Sequence, residues 1–163
     1  MSSASPARRR GANGLRANAL AGLIILLIEY SLGISVNLYS KLPSSDAGKT
    51  LFAGLGAAVG NGPVLLAFHA VLGTLLLLTG VGAVVRASRL GARPLIALSA
   101  GALLATVVAW LSGSQFVGHE KNSASLTMAL AAAVAILCYA LVIFVLGAQK
   151  PPRPSGAGGH AAS

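Results

Sequence analysis

Two side chains in this chain of 163 residues are placed where ionisable chemistry is costly, Glu29 and His69. Each stands inside a long apolar run, Glu29 in NALAGLIILLIEYSLGISVNL and His69 in PVLLAFHAVLGTLLLLTGVGAVV. A carboxylate and an imidazole together can hold or pass a proton, and an imidazole alone can ligate haem iron or hydrogen-bond a quinone. An ionised carboxylate at mid-membrane costs about 2.5 to 3.5 kcal/mol, which the surrounding Leu, Ile and Val residues offset at about 0.3 to 0.6 kcal/mol each. Glu29 shares a helical face with Gly22, Gly33 and Asn37, at spacings of seven, four and eight residues. Small and polar residues on one face are the pattern of a buried helix interface. His69 has Gly73 one turn further along its own face, leaving room for a close helix or a flat ligand.

These two residues can meet only if their helices pass each other at the right depth. Four apolar runs are each long enough to cross the roughly 30 Å hydrocarbon core, and backbone groups in lipid must bond within the segment. The runs therefore predict helices over 18–38, 63–85, 94–116 and 123–146. The predicted fold is an all-α transmembrane four-helix bundle over 18–147, with an outer loop at 39–62. At 1.5 Å per residue, Glu29 and His69 both fall about 10 to 14 Å below the outer surface, in one layer. Asn37 and Gln115 extend this polar layer.

Composition supports the membrane reading: 55% of residues are hydrophobic and 9% charged, against about a quarter charged in soluble proteins. The net charge of +9 flanks the apolar runs and does not stripe a folded face, so it indicates topology and no nucleic-acid partner. Arg8, Arg9, Arg10, Arg16, Arg86, Arg89, Arg93, Lys150 and Arg153 collect on one side, leaving only Lys41, Lys49 and Lys121 on the other. This asymmetry predicts cytoplasmic N- and C-termini in a multi-pass protein of a cell membrane. Residues 1–17, rich in Arg, Gly and Ser, read as a disordered basic arm, and 148–163, rich in Pro and Gly, as a disordered tail. In the outer loop, Ser45 or Asp46 could cap a short helix carrying Leu51, Phe52, Leu55 and Val59.

Other candidates are weaker in their chemistry. His119 stands just past the third run, so a haem pairing it with His69 would need both rings at one depth. His119 and Glu120, being adjacent, point to different faces and lack a third ligand, and no metal site is expected. Thr127, Ala131, Ala135 and Cys138 have interface spacing in the fourth run, beside Tyr139, and Cys138 reads as a packing residue. Phosphate loops, zinc motifs, paired-cysteine motifs and nucleophile elbows are absent from the sequence, and no catalytic residue is assigned.

Several stretches resemble a group of small four-helix bacterial membrane proteins with no assigned activity: N-L-Y-x-x-L-P from Asn37 to Pro43, N-G-P-V-x-L-A-x-H-A-x-L-G from Asn61 to Gly73, G-S-x-F-V from Gly113 to Val117, and S-L-x-M-A from Ser125 to Ala129. The likeness implies a bacterial plasma membrane. More distantly, H-A-x-L-G at the start of a helix after an outer loop is similar to one half of haem A synthase and to cytochrome b561-type bundles. That similarity implies haem b ligation by His69. The chain departs from those families in having no histidine in its fourth run and no acidic residue just before His69.

Three functions remain open from the residues. The first is a non-enzymatic integral membrane subunit that packs in the bilayer against itself or a larger complex. The second is a haem-b or quinone-binding electron-transfer protein centred on His69. The third is proton or small-solute passage using Glu29 and His69.

Overall fold

The computed structural model describes residues 5–39, 53, 56, 59, 60, 63–119 and 122–148. Four helices carry the chain: α1 (Pro6–Tyr39), α2 (Val64–Leu90), α3 (Arg93–His119) and α4 (Asn122–Ala148). All four contain stretches long and apolar enough to cross a bilayer. The protein is a four-helix multi-pass membrane bundle, and an even number of crossings returns both termini to one side. Helices adjacent in sequence pack together and α1 closes against α4, so the four form a ring in chain order.

Local chemistry sets the helix ends. Pro63 precedes α2, where its missing N–H costs nothing, and its carbonyl accepts from the Leu66 and Ala67 amides at 2.9 and 3.1 Å. At the other end of α2, Gly91 takes a left-handed φ of 66°, and its N–H bonds back to the Ser88 carbonyl at 3.0 Å. Such a conformation is cheap only for glycine. The chain then turns within two residues into α3, whose Ile96 amide bonds to the Ala92 carbonyl at 3.1 Å.

The cross-section is small inside and large outside. Ala19, Ala83, Ala87, Ala102, Ala105, Ala131 and Ala135 are buried, whereas Leu78, Leu104, Leu126, Leu130 and Phe144 each expose at least 60% of their surface. In water this would be an inverted protein. In lipid the arrangement is expected, because apolar burial drives nothing there and helices adhere by close packing of small residues. Hydroxyls on the spans are returned to their own backbone: Ser31, Ser35, Thr74, Thr79, Thr106 and Thr127 each donate to the carbonyl four residues earlier at 2.8–3.0 Å. That bond hides a donor from the hydrocarbon.

Tyr139, 0% exposed, anchors the middle of the bundle. A Cβ on Gly22 of α1 would lie 3.0 Å from its ring, and one on Gly80 of α2 would lie 2.9 Å from Leu103 and 3.5 Å from the Tyr139 hydroxyl. Glycine at both places lets α1 and α2 close on the aromatic ring of α4.

The structure differs from the sequence expectation in three places. α1 begins at Pro6, twelve residues before the expected start at Asn18, so the predicted basic arm is helical from residue 6. Its extension is packed: Leu15 and Ala19 are fully buried, Gly11 lies against Leu90, Gly14 lies against Arg86, and Asn18 Nδ2 donates to the Thr79 carbonyl at 2.9 Å. Tertiary contact with α2 here outweighs the poor helix propensity of Gly and Asn. Second, α2 runs past 85 to Leu90, and α3 and α4 are each longer by a few residues than expected. Third, the inward stripe of α4 is Ala124, Ala131, Ala135, Tyr139 and Val142, while Thr127 is exposed. Most of the outer loop and the tail beyond Ala148 lie outside the described residues; residues 53, 56, 59 and 60 have helical backbone.

Replacing Gly22 with Leu should destabilise the bundle by about 1 to 3 kcal/mol, since the new side chain must displace the Tyr139 ring. Thermal unfolding in mild detergent measures this. Adding Tyr139→Ala should recover part of the loss, and a strictly additive double variant would show that the two residues do not touch.

Candidate functional site: a carboxylate and an imidazole between α1 and α2

α1 and α2 run antiparallel, and their contacts form a ladder: Gly11 with Leu90, Gly14 with Arg86, Asn18 with Gly82, and Gly33 with His69. Near its top, Glu29 Oε2 lies 2.5 Å from His69 Nδ1. The two residues expected to share a layer are therefore in contact. Gly33 adjoins the ring, since a Cβ there would lie 3.5 Å from His69 Cε1, at van der Waals contact.

Glu29 is buried, with 8% of its side-chain surface exposed, and His69 keeps 23%. The contact is short in distance but lies off the directions of a hydrogen bond, so Nδ1 has no aligned partner. The second carboxylate oxygen, Glu29 Oε1, is buried with no hydrogen-bond partner. A buried orphan acceptor is costly, and such groups commonly hold a water or a ligand donor.

Residues from all four helices surround the pair. A Cβ on Gly33 would lie 3.8 Å from Met128 Cε, and one on Gly113 would lie 3.3 Å from Met128 Sδ, so this α4 side chain fills the space between α1 and α3. Trp110 of α3 reaches Gly73 of α2, one turn beyond His69, with Cδ1 at 3.6 Å from where a Cβ would stand. Beneath the pair, Leu26 and Leu76 are 2% and 3% exposed and belong to one cluster with Ala102, Ala105, Ala135 and Tyr139. The pair is thus floored by apolar side chains. On the opposite, outward face of α2, away from the pair, Val59, Ala70, Val71, Thr74 and Leu75 line an open apolar groove of about 270 Å³.

The structure brings Glu29, Gly33 and His69 together and turns Gly22 inward against Tyr139. The side chains of Asn37, Gln115 and His119, expected in or near this layer, lie outside the described residues, as does Glu120. Among the described residues no cluster of three His, Cys, Asp or Glu could hold a metal ion. Cys138 packs with Sγ 3.4 Å from the Cβ position of Gly101. Two features were not read from the sequence. Met128 and Trp110 wall the site, and Ser99 Oγ and the Tyr139 hydroxyl are buried without partners in the lower bundle. An alternation of glycine on one helix with a bulky residue on the next carries no sequence signal of its own.

The ring nitrogen away from Glu29, Nε2, is the one left for another partner. With the carboxylate at Nδ1, a neutral ring carries its proton on Nδ1 and offers Nε2 as an acceptor, and a protonated ring offers Nε2–H as a donor. Because one partner without the other leaves a sheltered polar group unmatched, Glu29→Leu and His69→Leu should each destabilise the bundle. The double replacement should cost less than the sum by about 0.5 to 3 kcal/mol. Additive losses in thermal or denaturant unfolding would show that the pair is not coupled.

No family profile, curated protein or solved structure matches this chain, so the likeness to haem A synthase and cytochrome b561-type bundles has no support beyond the motif itself.

Proposed function

We propose that the protein binds a membrane-soluble ligand of the quinone or quinol class at His69, as an electron- or proton-transfer component of the bilayer. The observation that carries this reading is the paired His69, whose Nδ1 faces Glu29 while nearly a quarter of its side-chain surface stays accessible. An ionisable pair within a span is expensive and by default functional. A protonated His69 would donate from Nε2 to a quinone carbonyl, and a neutral His69 would accept from a quinol hydroxyl. Glu29 stands against Nδ1, which leaves Nε2 as the ring nitrogen to meet the ligand.

The alternatives have less behind them. A subunit that merely packs against partners was suggested by small-residue faces, but Gly22, Gly33, Gly73 and Gly80 already meet Tyr139, His69, Trp110 and Leu103 within the bundle. Passage across the membrane would have to cross the apolar floor of Leu26 and Leu76. Haem b has less behind it, since His69 and Met128 pack beside Gly33 and a macrocycle entering there would have to part α1 from its neighbours. With the excess of Arg at the end bearing both termini, the proposed orientation puts those termini in the cytoplasm and the His69 layer toward the outer face. The proposed setting is a bacterial plasma membrane.

Trp110 is the only tryptophan and lies one turn from His69, so its fluorescence reports on the site. Titrating the purified protein with a short-tailed ubiquinone or menaquinone should quench it saturably, and His69→Ala should weaken binding at least tenfold. Quenching that never saturates, or is unchanged in His69→Ala, would overturn the reading. A reducible Soret band that disappears in His69→Ala would replace it with haem.

A further inference from the structure

The end of the bundle opposite the Glu29–His69 pair gathers positive charge from three helices. α1 contributes Arg8, Arg9, Arg10 and Arg16, and the corner between α2 and α3 contributes Arg86, Arg89 and Arg93; all are exposed. A basic flank that served topology alone would need no fixed arrangement. Here the packing of Gly11 on Leu90 and Gly14 on Arg86, with a Gly14 Cβ position 3.0 Å from Nη1, holds the two groups side by side. Among the described residues the one acid is Glu29, thirteen residues from Arg16 and so about 20 Å along the helix axis. No described acidic side chain is therefore within pairing distance of the arginines to relieve their mutual repulsion. Burying Leu15 and Ala19 has a built-in electrostatic cost that a multivalent anion would remove.

The position of the cluster selects the kind of anion. Arg16 and Arg86 lie where the apolar surface of the spans begins, beside Leu20, Val81 and Val85, which expose 50%, 49% and 44% of their surface. Charge at the rim with exposed apolar side chains directly above it matches a molecule with phosphate at one end and acyl chains at the other. Arginine presents a planar donor fork suited to phosphate oxygens. Arginines on both sides of the α1–α2 seam suit a headgroup with more than one phosphate. We propose that the arginine-bearing ends of α1, α2 and α3 form a binding surface for a doubly anionic bilayer phospholipid of the cardiolipin type. The proposal stands independently of the ligand at His69.

The test is lipid titration of the full-length protein in mild detergent, read by native mass spectrometry and by the thermal midpoint. Cardiolipin is compared with phosphatidylglycerol at equal charge and with phosphatidylcholine. Cardiolipin should bind with defined stoichiometry, raise the midpoint more than the other two, and weaken with added salt. Each Arg→Gln change near the surface should cost about fivefold in affinity, and Arg86→Gln/Arg89→Gln/Arg93→Gln about a hundredfold. Equal binding of cardiolipin and phosphatidylcholine would overturn the proposal. So would a triple variant that retains cardiolipin like the native chain, or a stronger response to inorganic pyrophosphate or an oligonucleotide at equal charge. If the triple variant does not fold, lipid selectivity of the native chain decides the matter alone.

Discussion

Glu29 and His69 can stay out of the acyl chains only because α1 comes close to α2 and α4 without side-chain bulk between them. Gly33 leaves the imidazole room, Gly22 gives Tyr139 its place about three turns away, and Gly14 and Gly11 continue the same stripe to the far end. Hydrophobic burial cannot hold such a seam in a bilayer, where lipid is as apolar as leucine. Close van der Waals contact and the avoidance of a naked polar group must do so. Removing the small residues would therefore undo the site along with the packing, since the same stripe serves both.

The rest of the cross-section follows from that constraint. Small residues occupy the axis because helices must approach closely, and the large aliphatic residues are left to face lipid. Some large side chains are buried as well, Leu15, Leu26, Leu76, Leu95 and Tyr139 among them, and the tyrosine ring is admitted by a glycine on each of two helices. Its hydroxyl and that of Ser99 are buried without partners, in contrast to the threonines, which bond back to their own helices. The lower bundle thus holds polarity that the packing leaves unmatched, separated from the Glu29–His69 pair by Leu26 and Leu76.

The two ends of the molecule have opposite electrostatic character. One holds a carboxyl group and an imidazole in mutual contact. The other presents arginines with no described acid nearby. About 20 Å of apolar helix separates Glu29 from Arg16 on α1.

Much of this was written in the chain itself. Four uninterrupted apolar runs dictate four helices because backbone in lipid has no other way to satisfy its hydrogen bonds. Residue counting from the span ends put Glu29 and His69 at one depth because rise per residue is fixed, and the spacing of Gly22, Glu29 and Gly33 put them on one face. What the sequence could not decide was which residues of different helices meet. The helical extension from Pro6 has too little intrinsic propensity to announce itself and is held by Leu15, Gly11 and Gly14 against α2. Met128 beside Gly33, Trp110 beside Gly73 and Tyr139 between Gly22 and Gly80 depend on the rotation of each helix about its axis. With every helix apolar nearly all round, periodicity leaves that rotation undetermined, and only the fit of large side chains to glycines on neighbouring helices sets it.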